Sequence, residues 1–154
     1  MRWQMKHAAS SATTGALFTA DNTMAAFTYK RRIAFHETDA AGVVYFANFF
    51  HLAEEAETHA LASLGSIVTR DGYLYPRVHA EADYRAPLRF FDEVSVHCCI
   101  TRMGSSSIEW KFEISRDEEI CAVVKMVSTR RNHDGSAAPY STAERAAYSA
   151  LSLS

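Results

Sequence analysis

His36-Glu37-Thr38-Asp39-Ala40-Ala41-Gly42-Val43-Val44-Tyr45-Phe46, running on through Ala47-Asn48-Phe49-Phe50-His51-Leu52-Ala53-Glu54-Glu55-Ala56, is the stretch that decides the fold. It reads as an irregular acidic loop that turns at Gly42 and feeds one long helix. From Phe46 onward, apolar residues fall at Phe46, Phe49, Phe50, Ala53, Ala56, Ala60, Leu61 and Leu64, the i, i+3, i+4, i+7 stripe of a helix with one buried face. Gly65 stands where a C-terminal cap is wanted. Asp39 is thereby held just ahead of backbone N–H groups at the positive end of a helix dipole. A carboxylate beside such donors can do chemistry on a carbonyl.

Upstream, Phe27, Tyr29, Arg31, Ile33 and Phe35 alternate with Thr28, Lys30, Arg32 and Ala34, the signature of a strand with one face more apolar than the other. Downstream, residues 66–73 read as a connector with Asp71-Gly72 as its turn signal, and strands are expected near 75–84, 93–101, 106–115 and 120–131. Pro76 and Pro87 bracket the first of these, and Arg116-Asp117-Glu118-Glu119 closes a hairpin between the last two. Asn132-His133-Asp134-Gly135 is a further turn, and Ser141-Thr142-Ala143-Glu144 has capping-box spacing for a short helix through Leu151. The helix needs a sheet to bury its apolar face, and the strands supply one. The expected class is α+β, one long helix packed on a five-stranded antiparallel sheet. Such a sheet leaves an edge or face for a second copy, so a homodimer or homotetramer is expected.

With 154 residues, the chain is read as one domain over 26–154, preceded by a disordered extension over 1–25. That extension is rich in Ala, Ser and Thr, and Arg2 and Lys6 precede its first acidic residue, Asp21; a transit peptide is the alternative, and Met24 a candidate start. A net charge of -2 argues against a nucleic-acid partner, which would demand a concentrated basic face. No apolar run reaches the roughly 18 residues of a membrane span. The odd number of cysteines (Cys98, Cys99 and Cys121, all in strand-like stretches) implies reduced buried thiols in a cytoplasmic protein. His51, Glu55 and His59 share a helix face at metal-ligand spacing, but the zinc-protease pattern is absent, so this face, with Glu54 and Glu57, is read as solvated and no metal is expected. There is no G-x-S-x-G elbow, and the glycine spacing fits neither a P-loop nor a dinucleotide fold.

The run Asp39 to Phe46, followed by Asn48 and the helix, resembles the opening motif of the 4-hydroxybenzoyl-CoA thioesterase branch of the hotdog-fold superfamily. Val78 to Pro87, then Asp92-Glu93-Val94, resembles that family's second strand and the turn after it, and Arg102-Met103-Gly104-Ser105-Ser106-Ser107 its next loop. The similarity covers about residues 27–132 in one register. Within the branch, Thr38 to Ala47 is most similar to 1,4-dihydroxy-2-naphthoyl-CoA hydrolases and to the short-chain acyl-CoA thioesterases associated with the Tol–Pal system.

The resemblance implies a hotdog fold, one long central helix wrapped by the five-stranded sheet, and an acyl-CoA thioesterase. Thioester cleavage needs an attacking or water-activating group and a stabiliser for the oxyanion. By position in the motif, Asp39 is the nucleophile or general base, the backbone N–H of Phe46 polarises the carbonyl, and Gly42 lets the loop bring its backbone close to the acyl group. Val43, Val44 and Tyr45 would line the acyl pocket, with His79 either a substrate contact or a core or interface histidine. Ser105 and Ser106 would meet the CoA phosphates. That loop lacks the basic residues of the bacterial 4-hydroxybenzoyl-CoA enzyme, which leaves Arg102, Arg130 and Arg131 as substitutes. Glu54, Glu55 and Glu57 are reserve carboxylates, because some hotdog thioesterases take theirs from this helix. Tyr45, Phe46, Phe49 and Phe50 suit an aromatic acyl group, and equally a hydrophobic core. No cofactor is implied, since CoA is part of the substrate. Two rivals stand beside this reading: an enoyl-thioester hydratase or dehydratase using His36, and a non-catalytic acyl-CoA sensor.

Overall fold

The computed structural model describes residues 26–65 and 72–152. The expected extension over 1–25 and most of the 66–73 connector, Asp71 included, lie outside the described residues. The elements are β1 (Phe27–Arg32), a 3-10 turn (Phe35–Glu37), α1 (Asn48–Ser63), β2 (Arg77–Tyr84), β3 (Glu93–Met103), β4 (Ser107–Arg116), β5 (Glu119–Thr129) and α2 (Thr142–Tyr148). The five strands form one antiparallel sheet in the order β1-β3-β4-β5-β2, curled around α1 in the hotdog arrangement.

The core follows from the two periodicities. Every second residue of the central strands faces the helix: Val94, Val96, Cys98 and Ile100 on β3, Ile108, Trp110, Phe112 and Ile114 on β4, and Ala122, Val124 and Met126 on β5, all buried. Against them α1 sets Phe49, Leu52 and Leu61, with Ala53, Ala56 and Ala60 between, at 0% exposure. The three alanines let the helix axis come close to the sheet, and the larger side chains each gain roughly 1.5–3 kcal/mol from burial. The cysteines are free and buried, and burial pushes the Cys98 thiol up to about 12, so it stays protonated and inert. Among the described residues no helix is long and apolar enough to cross a membrane.

Two expectations about the helix need correcting. It starts at Asn48, so Phe46 precedes its first turn and is 57% exposed instead of packing in the stripe. Glu57, expected on a solvated face, is 2% exposed, because the buried face is centred on Ala53, Ala56 and Ala60 and takes in position 57. Its carboxylate meets the guanidinium of Arg77, which the β2–β5 register places opposite the buried Ser128 and so under the helix. On the other flank Arg31, from the helix-facing side of β1, bonds Glu37 and comes within 2.7 Å of Glu55, while Tyr29 stacks on His59 at 4.5 Å. Among the described residues, no group of three or more His, Cys, Asp or Glu is arranged to hold a metal ion. β1 also ends earlier than expected, at Arg32; Phe35 belongs to the 3-10 turn and is exposed.

The terminal helix α2 has the capping box its sequence announces, with Ser141 Oγ accepting from the Glu144 N–H and the Glu144 carboxylate from the Ser141 N–H. Glu144 also pairs with Arg130, which lies between the rings of Tyr73 and Tyr140 and donates to the carbonyls of Ala138 and Pro139. Arg130, entertained above for the CoA phosphates, is 2% exposed and bound into the fold.

Replacing Arg77 by Leu removes the guanidinium from a buried carboxylate. The variant should lose roughly 2–3 kcal/mol, at or just below the bottom of the ~3–5 kcal/mol range for breaking a fully buried pair, because Arg77 is partly exposed. Urea unfolding would show it as a lower midpoint at unchanged slope; an unchanged midpoint would mean the pair contributes nothing.

Candidate active site

The loop between β1 and α1 is built around Glu37. Its carboxylate accepts from the Ala34 N–H at 2.7 Å and from Arg31, closing the 3-10 turn. Its backbone carbonyl accepts from the Tyr45 N–H at 2.9 Å and from Asn48 Nδ2 at 2.8 Å. One residue therefore ties β1, the turn and the first residue of α1 together. Burial pushes the Glu37 carboxyl up, and the Arg31 guanidinium and the Ala34 N–H outweigh this, holding it below its ordinary value.

Between these anchors the chain makes a small closed loop. The Asp39 N–H donates to the Val43 carbonyl and the Gly42 N–H to the Asp39 carbonyl, both at 2.9 Å, and Gly42 has φ +72°. Only glycine adopts that angle without strain. Asp39 Oδ1 accepts from the Ala41 N–H at 2.8 Å, which fixes the side chain, and the residue is exposed to solvent. Val44 then bonds the Leu88 carbonyl, stitching the loop to the segment after β2.

Asp39 lines a cavity of about 440 Å³. Val43, Val44, Tyr45, Phe46 and Phe49 form one wall, and Tyr84, Arg85, Ala86 and Pro87 the other. The lining is mainly apolar, of the size that takes a small ligand. Among the described residues, the Phe46 N–H meets no backbone acceptor, whereas the Tyr45 carbonyl accepts from the Asn48 N–H at 2.8 Å. One apolar cavity is thus lined by a residue with an ionisable carboxylate and by a residue whose backbone N–H has no backbone acceptor among the described residues.

Asp39, Gly42, Val43, Val44, Tyr45 and Phe46 come together in one loop, all but Gly42 lining this cavity. His79 does not join them: it sits on the opposite face of β2 from Tyr84 and bonds Glu81 at 3.2 Å. Ser105 and Ser106 lie beyond the far end of β3, and their carbonyls accept from the Tyr140 and Arg130 N–H groups. Glu55 and Glu57 are held by Arg31 and Arg77, and His36 is exposed and not among the cavity's lining residues. The second wall lies outside the loop-and-helix motif of residues 36–56. Its signal is Tyr84, the last residue of β2, which shares the helix-facing side with Ala82 and stands three residues ahead of Pro87.

Residues 41–123 match the family model of the thioesterase superfamily. A 1,4-dihydroxy-2-naphthoyl-CoA hydrolase of Crocosphaera subtropica is 31% identical over 107 residues, which span 67% of this chain and 78% of the relative. Among solved structures, a 1,4-dihydroxy-2-naphthoyl-CoA thioesterase from Synechocystis superposes with a TM-score of 0.71 at 29% identity, covering 80% of this chain and 95% of that one. A gentisyl-coenzyme A thioesterase superposes with a TM-score of 0.71 at 27% identity, covering 79% and 98%.

The Glu37 anchor makes a pH-dependent prediction. Glu37→Gln should lower stability by about 2 kcal/mol at neutral pH, the scale of a charged hydrogen bond lost from a buried site. Because the folded-state value lies below the ordinary 4.5, the wild-type advantage is complete above about pH 5 and fades as pH falls through the folded value. Thermal unfolding of both forms from pH 7 to pH 3 measures it; a gap that widens toward low pH would refute the assignment.

Proposed function

The chain belongs to the thioesterase superfamily and is a thioester hydrolase of the hotdog fold, and on that premise we propose that it hydrolyses acyl-CoA thioesters bearing an aromatic acyl group, with Asp39 as the catalytic carboxylate. The observation that carries the reading is that one apolar cavity is lined by both Asp39 and Phe46, whose N–H has no backbone acceptor among the described residues. The thioester carbonyl oxygen sits at the Phe46 N–H, where negative charge develops as the carbonyl is attacked. In one route an Asp39 oxygen attacks, the CoA thiolate leaves and takes up a proton, and water cleaves the resulting mixed anhydride. In the other, Asp39 takes a proton from a water molecule that attacks directly. Both consume one water and yield a carboxylic acid and free CoA, and neither needs a metal or a redox cofactor.

The aromatic preference is supported by the cavity walls, where Tyr45, Phe46, Phe49 and Tyr84 offer ring faces and edges. It is also in keeping with the naphthoyl and gentisyl groups that the relatives' names carry. Among the described residues that line the cavity, the ionisable group the reading uses is the Asp39 carboxylate and none is a histidine. Among the described residues β2 pairs with β5 alone and its other edge carries no strand, which supports a homodimer or homotetramer. His79, Ser105 and Ser106 do not line this cavity, so a substrate contact from them is proposed only through a neighbouring copy.

Thiol release from a panel of aromatic and short aliphatic acyl-CoAs tests the proposal. Wild type should cleave the aromatic members fastest, and Asp39→Asn should fall by about a hundredfold or more, as expected for losing a nucleophile or base. An Asn variant with full activity would move the carboxylate elsewhere, and a wild type that binds acyl-CoA without cleaving it would make the cavity a sensor.

A further inference from the structure

Tyr84 ends β2 on the face turned toward α1, opposite Ala122 of β5. Its ring meets Phe49 edge-on, with centroids 5.2 Å apart at 78°. Its hydroxyl donates to the backbone carbonyl of Phe46 at 2.9 Å. That carbonyl precedes the helix and gets no partner from it: the Phe50 N–H, which would reach it in a regular helical turn, bonds the Ala47 carbonyl instead at 3.1 Å. Among the described residues, the Tyr84 hydroxyl is the one group that holds it.

We infer that Tyr84 is a positioning residue for hydrolysis: by fixing the Phe46–Ala47 peptide it holds the N–H donors at the start of α1 where the thioester oxyanion forms. The inference rests on the thioesterase reading of the cavity. Two peptides meet at Phe46, and each has its carbonyl anchored. The Tyr45 carbonyl, part of the peptide that carries the Phe46 N–H, is taken by Asn48, and the Phe46 carbonyl is taken by Tyr84. With both planes fixed, the Phe46 N–H cannot swing when charge appears beside it, and a preorganised donor costs no rearrangement in the transition state. The hydrogen bond to the Phe46 carbonyl also polarises the Ala47 N–H of the same peptide, adding to the positive potential at this end of the helix. The sheet supplies the rigidity: the β2–β5 register sets the height of Tyr84, and Phe49, on the first turn of α1, sets the tilt of its ring. Burial raises the phenol above its ordinary value, so it remains a donor through neutral and mildly alkaline pH.

Tyr84→Phe removes the hydroxyl and keeps the ring; the side chain is 44% exposed, so no cavity opens and the fold is retained. The variant should lose about 5- to 30-fold in kcat with KM within twofold of wild type, less than the 10²–10³ that follows loss of a direct oxyanion donor. Across a series of para-substituted benzoyl-CoAs its rates should also depend more steeply on substituent electron withdrawal, because a less stabilised oxyanion leans more on the substrate. A merely structural role would lower the melting temperature without steepening that dependence. Asp39→Asn is assayed in parallel. If Asp39→Asn is inactive while Tyr84→Phe keeps wild-type kcat, or loses only in KM, the positioning role falls and the thioesterase reading stands. A wild type inert toward every thioester overturns both.

Discussion

Glu37 is the residue on which the remainder of the molecule hangs, because its side chain and its backbone carbonyl are spent on different elements. The carboxylate joins β1 to the 3-10 turn, and the carbonyl joins that turn to Tyr45 and Asn48. A loop without such a hub would be a flexible tether between strand and helix, and an Asp at its middle would sample many positions. Charge-assisted hydrogen bonds are among the stronger available to a chain, and here they add to the backbone bonds that close the loop on itself. The Asp39 turn is therefore carried as a rigid unit on the strand that starts the sheet and the helix that fills it.

The helix is also fixed against rotation by charge. Arg31 meets it from β1 and Arg77 from β2, on the two outermost strands of the sheet, and each finds a glutamate of α1. The apolar face alone, with alanines at 53, 56 and 60, is smooth and would tolerate small slips of register. An arginine left without its carboxylate under the helix would cost several kcal/mol, which makes slipped packings expensive even where the correct pairs add little net stability. Such pairs specify one arrangement, and the position of Phe46 and Asp39 depends on it.

Most of the architecture was legible in the chain because alternation and helical stripes have simple physical causes. The five strands, the helix with Gly65 at its end and the Ser141 capping box all follow from local patterns. The loop that carries Asp39 and Gly42 was legible too, from an acidic stretch, a glycine and a helix start. What local pattern could not give was tertiary pairing. Glu57 and Arg130 look solvated because charged residues usually are, and only the guanidinium or carboxylate brought from a distant strand or helix makes their burial tolerable. Phe46 looks like core by its spacing from Phe49 and Phe50, yet the helix starts two residues later and the ring is left at the cavity. Tyr84 is thirty-eight residues away from Phe46, and no periodicity links them.

The state of the Asp39 carboxylate bears on what this loop can do. One oxygen, Oδ1, accepts from the Ala41 N–H, and among the described residues no donor is assigned to the other. The first contact fixes the side-chain rotamer through a bond internal to the turn, so orientation is gained without a salt bridge that would stabilise the charge and blunt its reactivity. An arginine partner, as Glu37 and Glu57 each have, would make Asp39 a better structural anion and a poorer nucleophile or base. The three carboxylates thus divide by environment. Two are tied to guanidinium groups and hold the fold, while the third is exposed, held by one backbone N–H, and belongs to a residue that lines the cavity.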